Sequence, residues 1–206
     1  MERAASSGSK SRRRGEIVRA AVDVFAERGY FSARMREVAT RAGVADGTLY
    51  LYFKGKEDLL VSILEEHADA FLERARRDLL QIADPRGKLR RVVERHLVSL
   101  GQDRALAQVF QIELRHTRRF LRRVARGKVA QYLHLLEEII AEGAGQGVFR
   151  DDVPPELAAR VVFGAVDELV TAWVLAARPQ PLAAQAETLL ALVLQALAPP
   201  KGETHG

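Results

Sequence analysis

Along almost the whole chain, apolar side chains return every three to four positions, the spacing of helices, and no alternation long enough for a strand interrupts them. Ile17, Ala20, Ala21, Val24 and Phe25 follow the i, i+3, i+4, i+7, i+8 pattern and predict a helix from about Arg12 to Arg28. Gly29 is then the expected left-handed stop. Ser32 is placed to cap a short helix over about Arg34–Ala42, which Gly43 closes. A second short helix is expected over about Ala45–Phe53, ending at Lys54-Gly55. A long one follows from Lys56 to about Ile82, with Leu59, Leu60, Ile63, Leu64, His67, Phe71 and Leu72 on its inner side.

Pro85 opens a further helix, Arg86–Leu100, that Gly101 ends; two more are expected over Arg104–Arg115 and Arg118–Glu142. Gly143, Gly145 and Gly147 read as a loop. Pro154-Pro155 starts a helix running to Ala177, and Pro179 and Pro181 set off a last amphipathic helix, Leu182–Leu197, before Pro199-Pro200. The fold class is therefore all-α, with about nine helices, short ones first and longer ones after. The expected division is a disordered tail over 1–11, a helix-turn-helix over 12–55, a second domain over 56–198 and a tail over 199–206.

Charge sharpens that division. The chain carries a net +5, yet residues 1–56 hold 12 Lys/Arg against 6 Asp/Glu, while the remainder is close to neutral. A basic first quarter on a neutral body points to a polyanion-binding module; a solvated tail around Arg12, Arg13 and Arg14 gives the same count. A hydrophobic fraction of 48% can fill a sizeable core. The absence of cysteine removes disulfides and thiol chemistry and fits the cytoplasm. Nothing in the first residues reads as a signal peptide. The most apolar stretch, Leu157–Ala177, contains Arg160, Asp167 and Glu168, so a buried helix is expected there and no membrane span.

A short helix, a turn at Gly43 and a second short helix make a helix-turn-helix. In the second, Leu49 and Phe53 face inward, leaving Asp46, Gly47, Thr48, Tyr50 and Tyr52 on the other surface. Gly47 lets backbone approach a partner closely, and Lys56 puts a cation at the start of the long helix. Many such hairpins never touch DNA. The segment AGVADGTLYLYFKGKEDLL, with MREVATRAGV before it and FAERGY closing the first helix, resembles the signature of the TetR family of repressors over about Glu16–Leu60. The resemblance implies an all-α homodimer that binds a palindromic operator. It implies that Val44, Ala45, Asp46 and Gly47 lie nearest the bases and that Thr48, Tyr50, Tyr52 and Lys56 touch phosphate. Ala45 departs from the serine or threonine common there, which removes one hydroxyl contact or cap.

The C-terminal body carries no catalytic constellation, so no enzyme activity is expected. None of the five histidines is read as pairing with another or with a carboxylate at metal-ligand spacing, and neither a metal nor a cofactor is expected. The helix around Phe163, Val166, Val170, Trp173 and Val174 is apolar on all sides yet holds Asp167 and Glu168, which reads either as an internal salt bridge or as polar groups in an apolar pocket. Arg115, Arg118, Arg119, Arg122, Arg123 and Arg126 run without an acid among them, either a solvated face or a phosphate site. VFQIELRH and FGAVDELVTAWVL resemble the FadR-type fatty-acid-degradation repressors within the TetR family. That implies long-chain acyl-CoA as the effector that releases DNA. The pocket would be walled by Leu97, Phe110, Leu114, Phe163, Val166, Val170 and Trp173, with Gln111, Arg115, Arg118 and Arg122 at the polar end.

Two other readings stay open at this point. One is a TetR-type repressor of an efflux gene that senses a lipophilic cation, which Asp167, Glu168 and Trp173 would suit and the arginines would not. The other is an acyl-CoA-binding carrier without specific DNA binding. The last two helices are too apolar for a monomer surface and are expected to form a homodimer interface of four helices.

Overall fold

The computed structural model describes residues 2–113 and 127–200, with side chains from Ser9 onward. Among these residues there are nine α-helices, one π-helical segment and no strand, so the all-α expectation holds. The chain divides into two compact units, Met1–Ala68 with Arg104–Arg122, and Asp69–Asp103 with Arg123–Gly206. The division expected at 55/56 thus falls later, and a segment distant in sequence joins the N-terminal helices.

In the first unit, α1 (Glu2–Arg28) buries the predicted face, with Ile17, Ala21 and Phe25 at 0% exposure. It begins at Glu2, so most of the expected tail is helical instead. Gly29 ends it at φ +75°, as its position suggested. α2 (Met35–Ala42) buries Val38 and Ala39 and ends at Gly43, φ +66°. Its cap differs from expectation: Arg34 occupies the N-cap rather than Ser32, and the Glu37 carboxylate accepts the Arg34 N–H at 2.8 Å. α3 (Asp46–Leu49) is a single turn, shorter than expected. The chain stays coiled beyond it through Leu51 N–H to the Thr48 carbonyl (3.2 Å) and Phe53 N–H to the Leu49 carbonyl (2.9 Å). α4 (Lys56–Leu79) gives its first half to this unit, buried through Leu59, Leu60, Ile63 and Leu64.

The expected helix Arg104–Arg115 is instead a short α6 (Arg104–Gln108) followed by the π segment Val109–Glu113. It packs on α1 and holds α1 and the turn after it with one directed bond each. Gln108 Nε2 donates to the Ala26 carbonyl at 2.8 Å, and the Tyr30 N–H donates to the buried Glu113 carboxylate at 2.6 Å.

The second unit contains the rest of α4, α5 (Pro85–Gly101), α7 (Lys128–Gly145), α8 (Pro155–Leu175) and α9 (Leu182–Ala196). Asp84 caps α5 by accepting the Gly87 N–H at 2.7 Å, with Pro85 in the first turn. α7 continues through Gly143 to Gly145, where a loop was expected, and Gly147 at φ +68° makes the turn. Gly143 is required by packing, because a methyl there would collide with the Phe149 ring. The core is closed by Leu89, Leu97, Leu136, Ile140, Val166 and Leu190. α8 is not buried on all sides. Val162, Val166 and Val170 face in, while Leu157, Val161 and Leu175 remain outside.

Candidate DNA-binding surface

The turn before α3 is set by Gly43: its left-handed φ lets the Val44 N–H reach back to the Ala39 carbonyl at 3.0 Å. Ala45 is the N-cap of α3 and makes no side-chain cap bond, the consequence foreseen for alanine at this place. Leu49, at 0% exposure, and Phe53, at 2%, anchor the element to the core. The surface they leave comprises Ala45, Asp46, Gly47, Tyr50 and Leu51, all exposed, with Val44, Thr48 and Tyr52 half-buried. All the residues expected nearest the bases therefore share one stretch beside the hydroxyls expected on phosphates. A methyl at Gly47 would meet nothing within 4 Å.

Lys56 has a role that sequence reasoning missed. Its ammonium donates to the carbonyls of Phe31 (3.0 Å) and Ala33 (2.9 Å) and lies 4.7 Å over the Tyr30 ring. Burial lowers its pKa from the ordinary value. The side chain thus ties down the loop between α1 and α2 with two of its three N–H donors. Arg14, from α1, sits 5.0 Å over the Phe53 ring and pairs with Glu66, so α1 supports the end of this element with a second cation. Arg41 and Glu27 join α2 to α1 through two bonds of 2.9 and 2.7 Å on the outside, and Arg41 holds the Glu27 carboxyl below its usual range.

The residues expected at an effector pocket divide between the units. Phe110 and Gln111 lie in the first, where Phe110 meets the His67 ring at 5.2 Å and Gln111 is buried. Leu97, Phe163, Val166, Val170 and Trp173 lie in the second; Leu97, Val166 and Val170 are fully buried, and Phe163 and Trp173 half-buried. Leu114, Arg115, Arg118 and Arg122 fall outside the described residues, as does the rest of the arginine run. Sequence reasoning also missed a polar pair inside the second unit. The Tyr132 hydroxyl lies 3.1 Å from His96 Nδ1, and the Tyr132 ring packs edge-on against Phe71 and Phe163. Burial, and then the charge of Asp167, push the Tyr132 pKa well up. Asp167 is thus half-buried near this pair, while Glu168 points out.

His134 corrects the reading of the histidines. Its Nε2 lies 3.4 Å from Glu138 and its Nδ1 3.6 Å from Glu137, on an exposed face of α7. Among the described residues no group of three or more potential ligands could hold a metal ion, and no helix is long and apolar enough to cross a membrane.

Residues 17–63 match the family pattern described as bacterial regulatory proteins of the tetR family, and residues 64–196 match the YsiA-like protein C-terminal region. The fatty acid metabolism regulator protein of Bacillus subtilis is 38% identical over 182 residues, 88% of this chain and 94% of that protein. The crystal structure of the regulator FadR from Bacillus subtilis in complex with stearoyl-CoA is similar at a TM-score of 0.83 and 38% identity, covering 88% of this chain and 98% of that one. The fatty acid degradation regulator FadR from Bacillus halodurans matches at a TM-score of 0.83 and 38% identity, covering 89% and 98%. These relatives are regulators, which sets aside the reading as a carrier.

Proposed function

Since the chain belongs to the TetR family of bacterial regulatory proteins, we propose that it is a cytoplasmic homodimeric repressor of fatty-acid-degradation genes, released from a palindromic operator by long-chain acyl-CoA. The observation that carries this reading is likeness along both units, at 38% identity, to a regulator crystallised with stearoyl-CoA. α3 enters the major groove. Val44, Ala45, Asp46 and Gly47 approach base edges, while Thr48, Tyr50, Tyr52 and the remaining donor of Lys56 hold phosphates. The acyl chain lies among Leu97, Phe163, Val166, Val170 and Trp173, and Arg115, Arg118 and Arg122 pair with the CoA phosphates. The dimer forms through α8 and α9.

The test is retardation of a palindromic duplex, selected from random DNA by the protein, in the presence of palmitoyl-CoA or palmitate. The thioester is expected to release the duplex and the free acid to be far weaker, because only CoA brings phosphates. By linkage, the duplex must weaken thioester binding by the same factor. Equal potency of acid and thioester would remove the phosphate role of the arginines, and no release by either would remove the effector. Asp167, half-buried beside Tyr132, favours one second reading, a repressor of an efflux gene that responds to a lipophilic cation. Release by a quaternary ammonium dye and not by palmitoyl-CoA would select it.

A further inference from the structure

Leu51 has no part in the contacts assigned above, yet it is 75% exposed, the most exposed of the large apolar side chains described in the DNA-binding unit. The reason lies in its neighbours. Leu49 and Phe53 turn inward, so the residue midway between them is carried to the opposite side. A lone exposed leucine needs no explanation. Two further facts set this one apart.

The first is Gly47, one turn earlier. Its φ is not positive and a methyl there would meet nothing, so neither backbone nor packing calls for glycine. Glycine inside a helix nevertheless costs about 1 kcal/mol relative to alanine. The bare space leaves room there for a group from outside the chain. The second is direction. The Leu51 N–H bonds to the Thr48 carbonyl at 3.2 Å, so the coil continues through it. Four residues after Gly47 in that coil, Leu51 lies on the same side as the spot that Gly47 leaves empty. Its polar neighbours Thr48, Tyr50 and Tyr52 can bond phosphate, but Leu51 has no donor or acceptor to offer. In a major groove the apolar group presented by a base is the C5-methyl of thymine.

We propose that Leu51 reads one thymine methyl in each half-site of the operator, across the gap at Gly47. The inference rests on the reading that α3 enters the major groove. Its test uses the full-length protein and its selected palindrome, with each thymine replaced in turn by deoxyuridine, which removes only the methyl. One position per half-site is expected to lose about fourfold, and both together about fifteenfold, the worth of one buried methyl group. Leu51→Ala should lose the same factor on thymine DNA and become indifferent to the methyl. Leu51→Gln should shift the preference at that position to adenine. Indifference of the wild type at every position, or undiminished methyl sensitivity in Leu51→Ala, overturns the proposal while leaving α3 in the groove. If selection returns no preferred sequence, the groove reading falls and Leu51 with it.

Discussion

In the DNA-binding unit each helix hides its apolar face within the chain. α1 closes over Ile17, Ala21 and Phe25, α2 over Val38 and Ala39, and the element around α3 over Leu49 and Phe53. In the C-terminal unit, α8 and α9 bury one face each and leave the other in the open. Leu157, Val161 and Leu175 stand 54, 62 and 68% exposed, and Leu192 62%. Residues 157, 161, 168 and 175 recur at intervals of four and seven, so the outer face of α8 is a stripe, apolar except for Glu168. The contrast separates two kinds of hydrophobic pattern. In one, the fold of a single chain covers most of the apolar side chains; in the other it leaves a whole face open, the face assigned above to the proposed dimer.

Three changes bear on this contrast, in falling order of expected effect. Val161→Glu with Leu192→Glu puts charge on the open faces and is expected to yield a monomer at micromolar concentration in sedimentation velocity. Helix content should persist, because both side chains are already outside in the single chain. Operator affinity should fall on the order of 10²-fold or more, since two half-sites are no longer engaged by one particle. A double variant that stays dimeric would move the interface elsewhere. Next, Glu113→Ala leaves the buried Tyr30 N–H without its acceptor, which costs about 1–3 kcal/mol in a urea titration. Glu113→Gln retains a carbonyl oxygen and should recover most of that. Equal midpoints for wild type and Glu113→Ala would mean that the bond contributes nothing. Smallest, Ala45→Ser adds the missing cap and should stabilise by about 1 kcal/mol, read as a higher urea midpoint; an unchanged midpoint would show that α3 is held by Leu49 and Phe53 alone.

The helical face of α1 and the stops at Gly29 and Gly43 were legible because periodicity and backbone preference act locally. The cap of α2 was missed by two residues, since Glu37 reaching back to the Arg34 N–H is as valid a cap as a serine and leaves no sharper mark. Lys56 reads as a phosphate ligand from its place at a helix start; its carbonyl partners lie 25 and 23 residues away, and nothing local announces them. His134 and Glu138, by contrast, are four apart on one helix, a spacing that was there to be read. The π segment was hidden because its apolar spacing hardly differs from that of an ordinary helix. The bonds that distinguish it are backbone bonds.

That π segment carries a consequence for descent. One residue of an α-helix turns the chain by about 100°. Removing a single codon anywhere from Val109 to Ile112 would therefore swing Glu113 off Tyr30 while leaving every amino acid on either side unchanged. A change of length in this stretch therefore breaks the bond even where a conservative substitution would spare it. Among descendants of the same ancestor, gaps should collect in the turn after Gly145 and be purged between Gln108 and Glu113.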